Sequence, residues 1–265
     1  MYYLFARVNE IEKLLCDKFV LLLLDYDGTL TPIAETPQKA IIPSEAKELL
    51  QKLSESSCCK VAIISGRSLE DIKKAVAIKD VIYAGNHGLE IEGPNIKFES
   101  QVSPKLKGVI RHIAEDLAKR LSGIKGAIVE DKELTISVHY RLVAEKDTQD
   151  FLSIFNEIIN PYISRNEINV DAGKKVYEVK SPVQWDKGKV VLWLMAREQF
   201  AIGGKEVFPV YIGDDVTDEN AFKALKRKGL TIFVGESRSS SADYYLKDTK
   251  EVTKFLHLIL EINHS

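Results

Sequence analysis

The sequence predicts an α/β fold, a doubly wound parallel sheet with a smaller α/β domain inserted into it. Three observations carry this reading. Short apolar runs ending in polar or glycine residues recur along the chain, helical patterns lie between several of them, and the stretch from 103 to 180 is patterned differently. Alternating strand and helix implies parallel strands joined by right-handed crossovers.

The first run, Phe19-Val20-Leu21-Leu22-Leu23-Leu24, is apolar at every position. A continuous run of this kind reads as a strand buried on both faces. Helical spacing from Ser44 to Leu53 leads to Val61-Ala62-Ile63-Ile64, a second strand that ends at Ser65. Another helical segment, Leu69 to Ala77, precedes Val81-Ile82-Tyr83-Ala84, which ends in Gly85-Asn86-His87. Beyond the insertion, helical patterns run from Gly188 to Phe200 and from Glu219 to Lys228. Strands are expected from Val207 to Ile212 before Gly213-Asp214, and from Leu230 to Val234 before Gly235.

Within the insertion, Leu106, Val109, Ile110, Ile113, Leu117 and Leu121 fall at helical spacing. Phe151, Ile154, Phe155, Ile158 and Ile159 do the same in a second segment. Between them Leu134-Thr135-Ile136-Ser137-Val138-His139-Tyr140-Arg141 alternates strictly, with an apolar face able to pack on the helices and a polar face turned outward. The expected division is a core domain of residues 1–102 and 181–265 and an inserted domain of residues 103–180.

The chain has 265 residues, enough for one large or two modest domains. A formal net charge of -2 with interspersed signs offers no basic footprint, so neither nucleic acid nor an anionic membrane is expected as a partner. The three cysteines, Cys16, Cys58 and Cys59, follow neither a disulfide nor a zinc spacing, which points to a reducing cytoplasm. The N-terminus shows no leader pattern and the longest apolar run is far short of a membrane span. A cytosolic chain, complete from its first residues, is the expectation.

The segment Asp25-Tyr26-Asp27-Gly28-Thr29 places two carboxylates two positions apart at the end of the first strand. Parallel strands deliver ligand-binding groups at their carboxyl ends. Like charges ~4 Å apart at an effective dielectric near 20 cost about 4 kcal/mol, so the pair calls for a cation, a shared proton or both. An Asp-Gly hairpin turn is the plain alternative. Other strand ends finish in Ser65, in Asn86 and His87, and in Asp214 with Asp215 and Asp218. Taken singly, Ser65 can cap a helix, Lys187 can be a solvated lysine, and Asp214 to Asp218 can be the acidic first turn of a helix. Together, along one sheet edge, they describe a phosphate site.

These motifs resemble those of the haloacid dehalogenase (HAD) superfamily of phosphatases. Asp25-Tyr26-Asp27-Gly28-Thr29-Leu30 matches the first motif, Ser65 the second, Lys187 in Trp185-Asp186-Lys187-Gly188 the third, and Gly213-Asp214-Asp215-Val216-Thr217-Asp218 the fourth. The resemblance implies a HAD-like, Rossmann-like core and identifies the insertion as a cap. It implies Mg2+ as cofactor, held by Asp25, the Asp27 carbonyl and Asp214, with Asp215 and Asp218 ordering bound waters. Asp25 would attack phosphorus to form an aspartyl phosphate, and Asp27 would serve as acid and base. Ser65 and Lys187 would stabilise the phosphoryl group.

A closer resemblance, over nearly the whole chain, is to trehalose-6-phosphate phosphatases. It rests on those motifs together with Ser65-Gly66-Arg67, Gly85-Asn86-His87-Gly88, Val138-His139-Tyr140-Arg141, Val176-Tyr177-Glu178-Val179-Lys180 and the run from Phe208 to Phe222. By this resemblance Glu130, Lys132, His139, Arg141 and Glu178 in the cap, and Arg67, Asn86 and His87 in the core, contact sugar or phosphate. Cap closure is expected to hinge near Glu99 to Pro104 and Lys180 to Val183. The expected partner is a small sugar phosphate, with a functional link to trehalose-6-phosphate synthase and a monomeric state. Competing readings are a mannosyl-3-phosphoglycerate or sucrose phosphatase, a phosphosugar mutase, and a catalytically silent sugar-phosphate sensor.

Overall fold

The computed structural model describes residues 1–183, 185–236 and 239–264. In chain order the first elements are β1 (Tyr2–Tyr3), α1 (Val8–Leu15), β2 (Phe19–Leu24), α2 (Ser44–Glu55), β3 (Cys59–Ile64), α3 (Leu69–Val76), β4 (Ile82–Gly85), β5 (Glu90–Gly93) and β6 (Ile96–Glu99). Next come α4 (Pro104–Leu121), β7 (Ile128–Asp131), β8 (Thr135–His139), α5 (Thr148–Ser164), β9 (Asn169–Gly173) and β10 (Val176–Lys180). The chain continues through α6 (Lys187–Ile202), β11 (Val207–Gly213), α7 (Glu219–Leu225), β12 (Leu230–Val234), β13 (Tyr244–Leu246) and α8 (Thr249–His264). It divides into two compact units, Met1–Glu99 with Trp185–Ser265, and Ser100–Gln184.

The first unit is built on a nine-stranded sheet of order β1-β13-β12-β11-β2-β3-β4-β5-β6. Strands from β1 across to β4 are parallel, and β4, β5 and β6 continue as an antiparallel meander. Both faces of β2 are buried because the strand period sends alternate residues to opposite sides. Val20, Leu22 and Leu24 pack with Leu49, Leu50 and Leu53 of α2 and with Phe255, Leu256 and Ile259 of α8. Leu21 and Leu23 pack in a second cluster with Val190, Val191 and Leu194 of α6 and Phe222 and Leu225 of α7. Helices on both faces of a mainly parallel sheet are the doubly wound arrangement that the sequence predicts.

Two parts of this unit escape the sequence patterns. β1 is a two-residue strand that pairs with β13, and α1 places Ile11 and Leu15 in the core. A pairing that short has no periodicity to read. The meander strand Glu90–Gly93 pairs charged side chains with one buried apolar residue, Ile91, so it resembles loop sequence until its neighbours are known.

The second unit has a four-stranded antiparallel sheet of order β7-β8-β10-β9. Helices α4 and α5 supply Ile110, Ile113, Leu117, Phe151, Phe155 and Ile158, which pack on Ile136, Val138 and Val179 of the strands. Ser103 caps α4 by accepting the Leu106 amide, with Pro104 in the first turn where its missing N–H costs nothing. The polar face of β8 differs from the outward face the alternation predicts. Thr135 and Ser137 are buried, and Lys132 and the β10 residue Glu178 bond to the Ser137 hydroxyl.

Candidate active site

The carboxyl ends of β2, β3, β4 and β11 lie side by side in the first unit, as their register requires. Asp25 follows β2 directly, and its amide donates to the Ile212 carbonyl of β11 at 2.9 Å. Opposite it, Asp186 caps α6 by accepting the Lys189 amide at 3.0 Å, which sets Lys187 in the first turn. Lys187 Nζ donates to Asp25 Oδ1 and to Asp218 Oδ1, each at 2.7 Å. All three side chains are buried.

Burial pushes the Asp25 carboxyl above its ordinary range; Lys187 opposes that shift, while Asp218 and Asp214 add to it. Burial acts on Lys187 in the lowering direction, but the facing Asp218 and Asp25 carboxylates outweigh it and hold the ammonium charged to higher pH than usual.

Asp218 is the fixed point of the cluster. Its Oδ1 accepts from Lys187 and from the Tyr211 hydroxyl at 2.7 Å, and its Oδ2 accepts the Asp214 and Asp215 amides at 2.9 Å each. With four donors on its two oxygens, it serves to hold its neighbours. Asp215 and Asp218 form a capping box that closes the short turn before α7.

Carboxylate oxygens of Asp25, Asp214 and Asp218 lie within 4.8 Å of one another, all buried. Three carboxylates face one lysine, and an all-oxygen set with excess negative charge suits a hard divalent cation. Gly28 makes room for this set. Its φ is +93°, and a Cβ there would fall 2.2 Å from Asp214 Oδ2. The turn after Asp27 is therefore shaped around the Asp214 carboxylate. Asp214, but not the Asp27 side chain, joins the acidic cluster.

The Asp27 carboxylate is directed elsewhere. Arg67 holds it with a two-point fork, Nε to Oδ2 at 2.7 Å and Nη2 to Oδ1 at 2.6 Å. Ser65 Oγ, buried at the end of β3, accepts the Arg67 amide at 3.1 Å. The neighbouring loop is locked to the same turn, with the Asn86 amide donating to the Arg67 carbonyl at 2.7 Å and the His87 amide to the Ser65 carbonyl at 2.9 Å. Asn86 and His87 both have positive φ, a strained choice for non-glycine residues that the surrounding bonds maintain. Gly66 allows the approach, since a Cβ there would come within 2.7 Å of the His87 ring. The Asn86 side chain donates to Glu90 at 2.7 Å.

In the second unit, a different polar set forms on the sheet. Lys132 Nζ donates to Ser137 Oγ and lies 3.4 Å from Glu178 Oε1, and Ser137 donates to that same oxygen at 2.5 Å. Glu130 Oε2 is 3.2 Å from His139 Nε2 and 4.0 Å from Lys132 Nζ. Partial burial raises the Glu130 carboxyl, but His139 and Lys132 overcome this and bring it below its ordinary range. Arg141 stands apart from these contacts, exposed and donating to the Lys174 carbonyl at 2.6 Å.

Asp25, Asp214, Asp218 and Lys187 thus meet in one buried cluster, while Asp27, Ser65, Arg67, Asn86 and His87 form the adjoining loops. Asp215 contributes its amide and the capping box. Glu130, Lys132, His139 and Glu178 form the network of the second unit. Tyr211 is the residue that sequence reasoning leaves out of the site, and Ser137 enters that reasoning only as part of the polar edge of β8. Tyr211 reads as one more buried strand residue, and only its position two residues before Gly213-Asp214 hints that its hydroxyl reaches the acids. Ser137 reads as the exposed half of an alternating strand.

A family model described as trehalose-phosphatase matches residues 23–250. Trehalose-phosphate phosphatase B of Arabidopsis thaliana is 33% identical over 265 residues, an alignment covering 96% of this chain and 69% of that protein. Among solved structures, the C-terminal domain of Candida albicans trehalose-6-phosphate phosphatase superposes with a TM-score of 0.82 at 22% identity, covering 96% of this chain and 97% of that one. A structure described as a trehalose-6-phosphate phosphatase related protein gives a TM-score of 0.77 at 27% identity, covering 92% of this chain and 98% of that one.

Proposed function

The chain belongs to the trehalose-phosphatase family, and from that premise we propose that it hydrolyses trehalose 6-phosphate to trehalose and phosphate in a Mg2+-dependent reaction through an aspartyl phosphate on Asp25. Membership makes it a phosphoric monoester hydrolase of the HAD superfamily. The observation that carries the mechanism is the buried bridge of Lys187 between Asp25 and Asp218, beside Asp214.

Asp25 Oδ1 is tied to Lys187, which orients the carboxylate and leaves its other oxygen to serve as nucleophile or ligand. Lys187 also offsets charge that builds on the phosphoryl group, an effect strengthened by the dry surroundings. Ser65 would donate to a phosphoryl oxygen. The Asp27 carboxyl, entering the reaction protonated, would give its proton to the departing sugar oxygen and, as the carboxylate so formed, take one back from the water that attacks the aspartyl phosphate. Asp25, the Asp27 carbonyl and Asp214 would hold Mg2+, with Asp215 and Asp218 in support. When bound, the ion neutralises phosphate charge and orients the ester. Glu130, Lys132, His139, Arg141 and Glu178 supply polar contacts suited to sugar hydroxyls, and Asn86 and His87 the core's share.

The same proposal places the enzyme as a monomer in the cytoplasm, functionally linked to the synthase that makes its substrate. The odd count and spacing of Cys16, Cys58 and Cys59 support a reducing compartment, and no helix among the described residues is long and apolar enough to cross a membrane. The test is phosphate release from a panel of sugar phosphates with and without magnesium. Trehalose 6-phosphate should be hydrolysed with the highest kcat/KM, and only with the metal. A markedly better ester, such as sucrose phosphate or mannosyl-3-phosphoglycerate, would overturn the substrate assignment, and binding without turnover would favour a sensor.

A further inference from the structure

Arg67 is committed within the first unit more completely than a substrate contact requires. Besides its two bonds to Asp27, Nη2 donates to the Pro37 carbonyl at 2.7 Å, and the guanidinium carbon sits 4.9 Å from the centre of the Tyr26 ring. Tyr26 is buried, its hydroxyl donating to the Ala40 carbonyl at 3.1 Å. The Arg67 backbone is pinned at both ends, its amide on Ser65 Oγ and its carbonyl on the Asn86 amide. The Arg67 side chain is 10% exposed, whereas that of its partner Asp27 is 44% exposed.

This asymmetry matters because an exposed aspartate on a turn samples several rotamers, and proton transfer needs one of them. A planar fork donating to both oxygens fixes the plane of the carboxylate as well as its place, which a point charge cannot do. Each oxygen keeps a further lone pair, so the proton can arrive and leave without breaking the fork. Ordinary surface ion pairs contribute little, but this arginine is buried and anchored by partners on three sides.

We propose that Arg67 is a positioning residue for the reaction, holding the Asp27 carboxylate in its proton-transfer orientation and tying it through Pro37 to the segment after the first motif. The proposal rests on the acid–base role of Asp27 given above. It assigns Arg67 a task other than the sugar contact that the family resemblance implies. Arg67 forms and breaks no covalent bond; the proton passes between Asp27, the sugar oxygen and the attacking water.

The test is a cycle of Arg67→Ala, Asp27→Asn and the double variant, with kcat and KM measured separately on trehalose 6-phosphate. Arg67→Ala should lower kcat by about 100-fold while KM moves by less than about threefold. In the Asp27→Asn background it should lower kcat no further, because its effect runs through that carboxylate. Arg67→Lys should recover only part of the loss, and it carries the same comparison if the alanine variant does not fold. Equal fold-losses in both backgrounds, or a rise in KM at constant kcat, would overturn the proposal. Near-normal kcat in Asp27→Asn alone would instead defeat the acid–base reading and the proposal with it.

Discussion

The two units each bury a set of charged side chains, but the sets are balanced differently. In the first, Asp25, Asp214 and Asp218 face Lys187, so negative charge is in excess. In the second, Glu130 and Glu178 face Lys132, with His139 and Ser137 sharing the load. A buried excess of carboxylates could hold a cation, because the repulsion among them falls when one binds. The second set carries a smaller excess, two glutamates against one lysine, and presents shaped polar edges. The first is suited to charge-driven chemistry and the second to recognition.

Several substitutions can break or sharpen this contrast. The largest effect is expected for Asp25→Asn, which should lower phosphate release by at least ~1,000-fold while circular dichroism stays native-like. Near-normal turnover in a folded variant would remove the nucleophile from the account. Next comes Lys187→Met, which leaves two buried carboxylates without their shared cation. Loss of one partner from a buried pair costs about 3–5 kcal/mol, so thermal melts without metal should show a large drop, partly recovered by magnesium. An unchanged melting temperature would mean that the bridge is not formed.

A smaller effect is expected in the second unit. Ser137→Ala removes the hydroxyl between Lys132 and Glu178, and a buried polar group left short of a partner costs about 1–3 kcal/mol. Hydrogen exchange should place the loosening in β8 and β10 and leave β2 and β11 protected. Uniform loosening of both units would contradict the separation of the two networks.

The smallest test uses acid. Because the Glu130 carboxyl is held below its ordinary range, the folded state favours its ionised form. That contribution is present above the ordinary carboxylate pKa and is lost as pH falls through the depressed one. Unfolding curves of wild type and Glu130→Gln should therefore differ at neutral pH and converge in acid. A gap that widens as pH falls would reverse the sign of the argument.

The legibility of each unit in the sequence follows from the same contrast. β2 and β12 span the residues that their apolar runs predict, because a strand buried on both faces announces itself without knowledge of its neighbours. The acids at the ends of β2 and β11 are readable for a related reason: parallel topology alone gathers them. Tyr211 is not readable in this way, since a hydroxyl at the rim of an apolar strand looks like core until Asp218 is seen to accept from it. The network around Ser137 depends on side chains brought together by antiparallel register, Glu130 and Glu178 both standing opposite Ser137. Alternation in β8 shows which residues share a face, but not that Lys132 and Glu178 cover that face. Likewise the fork from Arg67 to Asp27 joins two motifs that the sequence lists separately.

The central claim is that the first unit's cluster needs a cation and the second unit's network does not. Thermal unfolding with and without magnesium tests it most directly, comparing wild type, Asp214→Asn and Glu178→Gln. Magnesium should raise the melting temperature of wild type and of Glu178→Gln and leave that of Asp214→Asn nearly unchanged. An equal rise in Asp214→Asn would contradict the account.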